Sequence, residues 1–364
     1  MMIVSKQHQI FFDFLRFCIG SAKEIPDSLK EADWKEIYAI AKKQCLVGVL
    51  FDGIKKLPAE HVGMKKVLLL QWMAESQMLE KANVRLNDAA IQVSEWFRKK
   101  GFRTCILKGQ GHALLYPNPY SRTPGDIDIW VEGGDKRVIS FVRSISPHEK
   151  ACYHHIEFPP YKGVEVEVHY RPSFLLCFWH NRKLQKYYER VKEEQFSHQV
   201  MLGEQGEIAI PTAEFNLIFQ LTHIFAHLMN EGIGLRQLLD YYYVLISDDL
   251  LLIRDRVLKE LKELGLWKFA GGIMYIMQEV FGMPASRLIV PPNEQYGKFV
   301  LNEVLEAGNF GKHDERNRFG RSKLGHNLQR VYRDIRLMKY FPAEAMSEPF
   351  FRVWHFFWRM KNKK

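Results

Sequence analysis

The sequence predicts an α+β protein in which a small mixed sheet lies between two helical regions. Apolar residues recur at helical spacing up to about residue 100, short segments alternate in polarity from 101 to about 210, and helical spacing returns at Pro211. We therefore expect a helical N-terminal lobe over 1–100, an α/β core over 101–210 and a helical C-terminal lobe over 211–364. A chain of 364 residues is long for one compact core, which agrees with several lobes.

Three helical regions are predicted in the first lobe, at 8–21, 28–57 and 66–100. Apolar residues recur there at three- and four-residue steps, and Asp33 offers an N-cap near the start of the second region. The third region closes in the sequence RKKG, in which basic residues precede a glycine, as is typical of a helix C-terminus.

The middle of the chain reads as strands. We predict strands at 103–107, 126–131, 153–158 and 164–170, with a helix at 136–144 between the second and the third. The last two strands are expected to pair as a hairpin through the turn sequence PPYKG. A short helical segment rich in small residues is expected directly after the break at Lys108-Gly109.

Helices are predicted again in the last part of the chain. Their expected ranges are 212–230, 235–246, 249–264, 266–282, 293–306, 324–340 and 343–360. The last one contains the sequence FFRVWHFFW, which we interpret as an amphipathic core helix, although its basic flank leaves peripheral lipid contact open.

The net charge of +10 is concentrated near the C-terminus. Residues 312–364 hold 14 Lys and Arg against 5 Asp and Glu, a balance of +9. Such a segment attracts phosphates, nucleic acid or acidic lipid surfaces. A solvated helix face is the alternative, and we favour it for a charge-rich terminal helix.

Composition indicates a folded protein in a reducing compartment. Apolar residues make up 47% and charged residues 26% of the chain. The five cysteines are scattered without a CxxC pair, which argues against a disulfide framework and a zinc ribbon. No signal peptide and no run of about 18 apolar residues is evident, so we expect a cytoplasmic protein without a transmembrane segment.

The candidate chemistry lies on two predicted strands. Side chains alternate between the faces of a strand, so Asp126 and Asp128 should point the same way, as should Glu165, Glu167 and His169. Two aspartates on one strand and a carboxylate on its neighbour can hold two Mg²⁺ ions for phosphoryl transfer. Each pattern alone is common on exposed strands, and only their combination and order favour a metal–phosphate site.

The segment LKGQGHALLYPNPYSRTPGDIDIWV, followed about forty residues later by EVHYRP, resembles the bacterial "uncharacterised nucleotidyltransferase" family. That family belongs to the nucleotidyltransferase superfamily typified by DNA polymerase beta. The resemblance covers about residues 30–245. The matching positions are Leu107, Lys108, Gly109, Leu115, Tyr116, Arg122, Asp126, Ile127, Asp128, Glu167, Val168 and His169, and then His227, Arg236 and Asp240.

The resemblance implies a polymerase beta-like core that moves a nucleoside monophosphate from an NTP, such as ATP, to a hydroxyl, with release of pyrophosphate. It implies that Asp126, Asp128 and Glu167 are catalytic and ligate magnesium or manganese, with two ions bound. The acceptor could be an RNA end, a protein or a small molecule. The nucleotide-binding positions would be Lys108, Gly109, Arg122 and Arg236, and the supporting positions His169, His227 and Asp240.

Two departures from the superfamily keep an alternative function open. Gln110 follows Gly109 where Ser or Gly is usual, and Glu167 stands where Asp is commoner. Both favour a nucleotide- or RNA-binding module that has the fold without turnover. The basic segment 312–364, through which such a module could contact nucleic acid, favours it as well. A glycosyltransferase with a DxD motif is less favoured, because the helical first hundred residues leave no room for its larger Rossmann-like half.

Structural roles are the alternatives for single residues. Arg122 could pair with an acidic neighbour such as Asp126, and Arg236 could form a helix-surface ion pair with Asp240 at i, i+4 spacing. His223 and His227 have the spacing of a zinc pair but lack the HExxH pattern, so we interpret them as core histidines that face the sheet.

Overall fold

A computed structural model describes residues 4–204, 206–247, 250–314, 316 and 323–362. The protein is an α+β protein with a small mixed sheet between helical regions, as predicted. Its described helices are α1 Lys6–Ile19, α2 Trp34–Lys43, α3 Val47–Ile54, α4 Lys66–Lys99, α5 Gln110–Ala113, α6 Gly134–Ile145, α7 Phe178–Ser197, α8 Ala213–Asn230, α9 Leu235–Leu245, α10 Leu250–Glu263, α11 Trp267–Glu279, α12 Glu294–Ala307, α13 Lys323–Met338 and α14 Pro342–Lys361. Its strands are β1 Thr104–Ile106, β2 Ile127–Val131, β3 His155–Tyr161, β4 Val164–His169, β5 Gln199–Met201 and β6 Glu207–Ala209.

The predicted helices and strands are confirmed, with ends that differ by a few residues and one interruption. The region predicted as helical over 28–57 breaks between α2 and α3, where Cys45 has φ +56°. Helix α7 was not predicted. Its buried face includes Asn181, Tyr187, Tyr188 and Gln195 as well as two apolar residues, so the apolar periodicity is weak.

The four-stranded sheet has the order β1-β2-β4-β3. β2 and β4 run parallel, whereas the outer strands β1 and β3 are antiparallel to their neighbours. The predicted hairpin of β3 and β4 is confirmed, and its register shifts between Phe158 and Tyr161. The parallel register sets Asp128 of β2 opposite Glu167 of β4. The site residues of the two strands are therefore direct neighbours.

Both faces of the sheet are covered. On one face Ile127, Ile129 and Val168 belong to an apolar cluster with residues of α4 and α6. On the other face the Trp130 ring lies 4.7 Å from that of Phe196 at the end of α7. β2 is buried along its whole length, so Asp128 lies away from open solvent.

The N- and C-terminal helices share one large apolar core. Gln44, after α2, joins them further: its Nε2 donates to the Val304 carbonyl at 3.1 Å, and its Oε1 accepts from the Leu235 N–H at 2.8 Å. The predicted bounds 1–100, 101–210 and 211–364 bracket the sheet. The division into three domains stays a prediction.

No helix in the described part of the chain is long and apolar enough to cross a membrane. Of the predicted basic segment 312–364, residues 315, 317–322, 363 and 364 lie outside the described residues. The interpretation of FFRVWHFFW as a core helix is wrong in part. Phe351 packs on Phe174, but Phe350, Phe356 and Phe357 are exposed.

Candidate active site

Three carboxylates meet at one end of β2 and β4. Oxygen atoms of Asp126, Asp128 and Glu167 all lie within 4.8 Å of one another. Alternation along β2 places both aspartates on one face, and the parallel register brings Glu167 beside Asp128. Asp128 is only 3% exposed, whereas the other two are half-buried. The structure thus brings together the three residues predicted as metal ligands.

Two basic side chains contact this cluster. Lys108 Nζ lies 2.8 Å from Asp128 Oδ1, and His169 Nε2 lies 3.0 Å from the same oxygen and 3.3 Å from Glu167 Oε2. Lys108 is held there because the Leu107 N–H donates to the Asp128 carbonyl at 2.9 Å and Gly109 turns the chain with φ +58°. The other nitrogen of His169 lies 3.3 Å from the Arg171 carbonyl.

The charged groups in this cluster shift one another's pKa values. Burial alone would raise the pKa of Asp128, but the Lys108 ammonium and His169 hold it well below its usual range. The Asp128 charge, together with burial, raises the pKa of Asp126 to about 6. Burial alone would lower the pKa of His169, but hydrogen bonds to Asp128 and Glu167 raise it to about 9. At neutral pH the cluster therefore contains crowded negative charge and two cations.

A second ion pair lies in the wall of the same cleft. Arg122 is 4% exposed, and its Nε and Nη2 donate to the two carboxylate oxygens of Asp240 at 2.8 Å each. The Tyr116 hydroxyl also donates to Asp240 at 2.8 Å. Burial alone would raise the pKa of Asp240, but Arg122 holds it well below its usual range. Asp240 thus fixes the loop before β2 to α9.

Arg236, on the same cleft, has fewer partners than Arg122 among the described residues. Its Nη1 donates to the Thr123 carbonyl at 3.0 Å, and its buried Nε has no hydrogen-bond partner in the described part of the chain. Burial, together with Arg122, lowers the pKa of its guanidinium. The ion pair of Arg236 with Asp240 that the i, i+4 spacing offered is not formed among the described residues, because Asp240 binds Arg122.

A cleft of about 500 Å³, part of it open to solvent, connects these groups. Its wall includes all four residues predicted to bind nucleotide and both aspartates; these are Lys108, Gly109, Arg122, Arg236, Asp126 and Asp128, with Asp240 also present. Of the predicted site residues that the structure describes, Glu167, His169 and His227 are not part of this wall. His227 packs instead on His223 and Phe310, with ring centroids 4.3 and 5.2 Å away.

Three residues near the site were not predicted. His155 Nδ1 lies 3.4 Å from Glu167 Oε2, and Phe310 lines the cleft with a left-handed φ of +55°. His223, interpreted as a core histidine facing the sheet, has its Nε2 3.3 Å from Lys108 Nζ and also lines the cleft. The predicted hairpin could have indicated His155, but the register shift in β3 decides which residue faces His169.

Comparison with known proteins identifies the family. The model of the family "Uncharacterised nucleotidyltransferase" matches residues 30–282. The chain belongs to this family. The resemblance expected from the sequence is confirmed, and the match extends past residue 245. Membership supports a nucleotidyltransferase-type function and suggests that the protein is an enzyme.

The other comparisons add little. A solved structure, that of an antigenic nucleotidyltransferase-like protein from Paracoccidioides brasiliensis, is similar over 52% of this chain and 94% of that chain. The two are 15% identical, with a TM-score of 0.27. No curated protein matches the sequence.

Proposed function

We propose that this nucleotidyltransferase family member is a metal-dependent enzyme that transfers a nucleoside monophosphate from an NTP to a hydroxyl acceptor. The observation that carries the proposal is the convergence of Asp126, Asp128 and Glu167, whose oxygens lie within 4.8 Å of one another. Three carboxylates at one end of a sheet, beside a cleft lined by Arg236, are what phosphoryl transfer through divalent ions requires.

The donor set fits magnesium or manganese. All three side chains offer the hard oxygen ligands that these ions prefer. The pKa of Asp126 is raised to about 6 by the neighbouring Asp128 charge, which is the crowding that a bound cation relieves. Two bound ions would lower the pKa of the acceptor hydroxyl and neutralise charge on the triphosphate.

The chain's own residues orient the ligands and the triphosphate. His169, protonated because of its raised pKa, donates to the Asp128 and Glu167 carboxylates and to the Arg171 carbonyl, which fixes its ring. Lys108 would move its contact from Asp128 to a phosphate oxygen, a short displacement for a flexible side chain. Arg236 lines the same cleft and would bind a second phosphate through guanidinium N–H groups that Thr123 does not use.

Arg122 supports this site in a different way from the one expected. Its two best donors are used by Asp240, so it has little left for a triphosphate. We infer that Arg122 positions the loop that carries Thr123, whose carbonyl also accepts from Arg236. Direct phosphate binding by Arg122 stays a prediction.

The proposed reaction balances without a further reactant. The acceptor oxygen attacks the α-phosphorus of the NTP, and the bond from that phosphorus to the bridging oxygen of the pyrophosphate breaks. The acceptor proton passes to a carboxylate of the cluster or to water. Positioning and electrostatic stabilisation supply most of the rate enhancement in such transfers.

The test is pyrophosphate release from each NTP with Mg²⁺ or Mn²⁺, with and without cellular RNA and small-molecule extract. We expect metal-dependent release that Asp128→Ala lowers by at least about a hundredfold, since it removes a shared metal ligand. Asp255→Ala, an exposed aspartate on α10, is the matched control and should leave release unchanged. Release that survives Asp128→Ala would overturn the proposal.

One observation favours the second candidate, a nucleotide-binding module without turnover. Lys108 and His169 already neutralise Asp128 at 2.8 and 3.0 Å, so the cluster could persist as a buried ion-pair network. NTP binding that requires Lys108 and Arg236, without pyrophosphate release under any acceptor condition, would decide for this candidate.

A further inference from the structure

The last two helices turn apolar residues towards solvent. On α14 the exposed residues Phe350, Val353, Phe357 and Met360 follow one another at three- or four-residue steps, so they share one side of the helix. Phe350 is 78% and Phe357 61% exposed. We call these four residues the outer stripe of α14.

Helix α13 repeats this arrangement. Leu328, Val331, Ile335 and Met338 are exposed at the same spacing, and Ile335 is 65% exposed. We call them the outer stripe of α13. α13 and α14 pack against each other, so both stripes belong to one helix pair. Exposed apolar residues that share one side of a helix are typical of interaction sites in folded proteins.

The inner faces of the two helices carry the acidic residues. Asp334, Glu344 and Glu348 are all buried. Glu344 accepts the backbone N–H groups of Leu176 and Cys177 at 2.6 and 3.0 Å, which ties α14 to the start of α7. A surface helix normally buries its apolar stripe and exposes its charges. Here specific contacts of the carboxylates hold the opposite orientation.

The charge left on the outside of these helices is positive. Between residues 323 and 362 the acidic residues are the three buried ones, whereas Arg330, Lys339, Arg359 and Lys361 are exposed. Lys339 and Lys361 each follow the last residue of an outer stripe, so at about 100° per residue they lie beside the stripes, whereas Arg330 and Arg359 lie on other sides of their helices. Each outer stripe is thus flanked by a lysine, and no acidic side chain of 323–362 is exposed beside it. This combination is typical of helices that lie in the interface of an acidic membrane.

We propose that the outer stripes of α13 and α14 dock this protein on an anionic phospholipid surface. The apolar side chains would enter the boundary between headgroups and acyl chains, while Lys339 and Lys361 meet lipid phosphates. A second copy of the chain would bring like charges together. Nucleic acid would bind the basic side chains but not the aliphatic ones. The proposal does not depend on the nucleotidyltransferase activity.

The test is co-sedimentation of the full chain with vesicles of phosphatidylcholine alone or with added phosphatidylglycerol. We expect binding to the acidic vesicles that added salt weakens and clearly less binding to the neutral ones. The double variant Phe350→Glu/Val353→Glu should lower the affinity for acidic vesicles at least about tenfold, since it replaces apolar area that would be buried in the lipid by negative charge. Leu252→Glu on α10, where the leucine is 81% exposed, is the matched control and should bind normally.

Several results would overturn the proposal. These are failure to bind acidic vesicles, equal binding to both vesicle types, and an equal loss in the Leu252→Glu control. A dimer in light scattering that Phe350→Glu/Val353→Glu dissociates would assign the face to a second copy instead. RNA binding that the double variant abolishes would assign it to nucleic acid. Unchanged thermal unfolding of the variants excludes misfolding as the cause.

Discussion

At the scale of single residues, the pairing register of β2 with β4 accounts for the candidate site. Asp128 and Glu167 are neighbours because β2 and β4 run parallel with these two positions paired. A buried Asp128 carboxylate beside a half-buried Glu167 carboxylate is costly unless cations compensate. Lys108 and His169 provide these cations within the chain. Both could leave the carboxylates when a metal or a phosphate binds. The same contacts therefore stabilise the fold and prepare the proposed chemistry.

The turn at Gly109 can be tested directly. Its φ of +58° with ψ −106° is accessible to glycine but not to L-residues with a side chain. We expect Gly109→Ala to lower the free energy of unfolding by about 2–3 kcal/mol and to displace Lys108. Gly20→Ala, at a left-handed helix C-cap with open space around it, is the control and should cost only about 1 kcal/mol. Equal costs in denaturant unfolding would contradict the account.

The buried pair of Arg122 and Asp240 should behave as a unit. Arg122→Met leaves the Asp240 carboxylate buried without its partner, so we expect a loss of about 3–5 kcal/mol in unfolding free energy. The double variant Arg122→Met/Asp240→Leu should lose less than the single one. Arg256→Met, which breaks an exposed pair with Glu214, should cost no more than about 1 kcal/mol. A loss of unfolding free energy in the double variant equal to the sum of the losses in Arg122→Met and Asp240→Leu would show that the two side chains do not interact.

At the scale of secondary-structure elements, close approach decides how α3 meets the loop before β2. A Cβ atom added at Gly48 would lie 2.2 Å from the Ser121 carbonyl oxygen, so only glycine permits this contact. The loop continues directly into Arg122, which lines the cleft, and Thr123, whose carbonyl accepts from Arg236. Packing of α3 therefore helps to place residues of the candidate site.

Gly48→Ala tests this contact. We expect a loss of about 2–3 kcal/mol in unfolding free energy, because backbone rather than a flexible side chain must move. Gly63→Ala serves as the control, since an added Cβ there has only Trp34 Nε1 at 3.9 Å. The measurement is urea unfolding followed by circular dichroism. Similar midpoints for both variants would show that the loop can move freely.

The packing of α13 on α14 should depend on pH. Burial and the neighbouring Glu348 raise the pKa of Asp334 to about 7 from its ordinary 3.8. A carboxyl group whose folded pKa is raised contributes stability that is present at low pH and is lost as the pH rises through the folded value. We expect the wild type to lose on the order of 2 kcal/mol between about pH 4 and pH 7 through this group.

Asp334→Asn should remove this pH dependence, because the amide stays neutral. Thermal unfolding across this pH range measures the effect, with the exposed Asp255→Asn as control. A pH profile of Asp334→Asn that parallels the wild type would mean that Asp334 is ionised in the folded protein.

At the scale of the whole molecule, the sequence predicted what depends on local pattern. Periodicity indicated most helices and all four strands of the sheet, and the motifs around Asp126, Asp128 and Glu167 located the carboxylates. Alternation was sufficient for these residues because each lies on a strand with a clear pattern.

Long-range partners could not be predicted in the same way. Arg122 pairs with Asp240, 118 positions away, whereas local spacing offered Asp126 and Arg236 as partners. The outward apolar faces of α13 and α14 depend on distant contacts such as that of Glu344 with the start of α7. The shifted register of β3 likewise decides which histidine meets Glu167. Each of these outcomes is set by tertiary packing and not by a pattern within one segment.

The most direct test of the proposed metal site is a titration of the full chain with Mn²⁺ and an NTP, followed by electron paramagnetic resonance of the free ion. It needs no knowledge of the acceptor. We expect stoichiometric binding of Mn²⁺ to the protein, beyond the Mn²⁺ that the same concentration of NTP binds alone, and we expect Asp128→Ala to abolish this binding and Asp255→Ala to leave it intact. Mn²⁺ binding of equal strength in wild type and Asp128→Ala, or none in either, would contradict a metal site built from Asp126, Asp128 and Glu167.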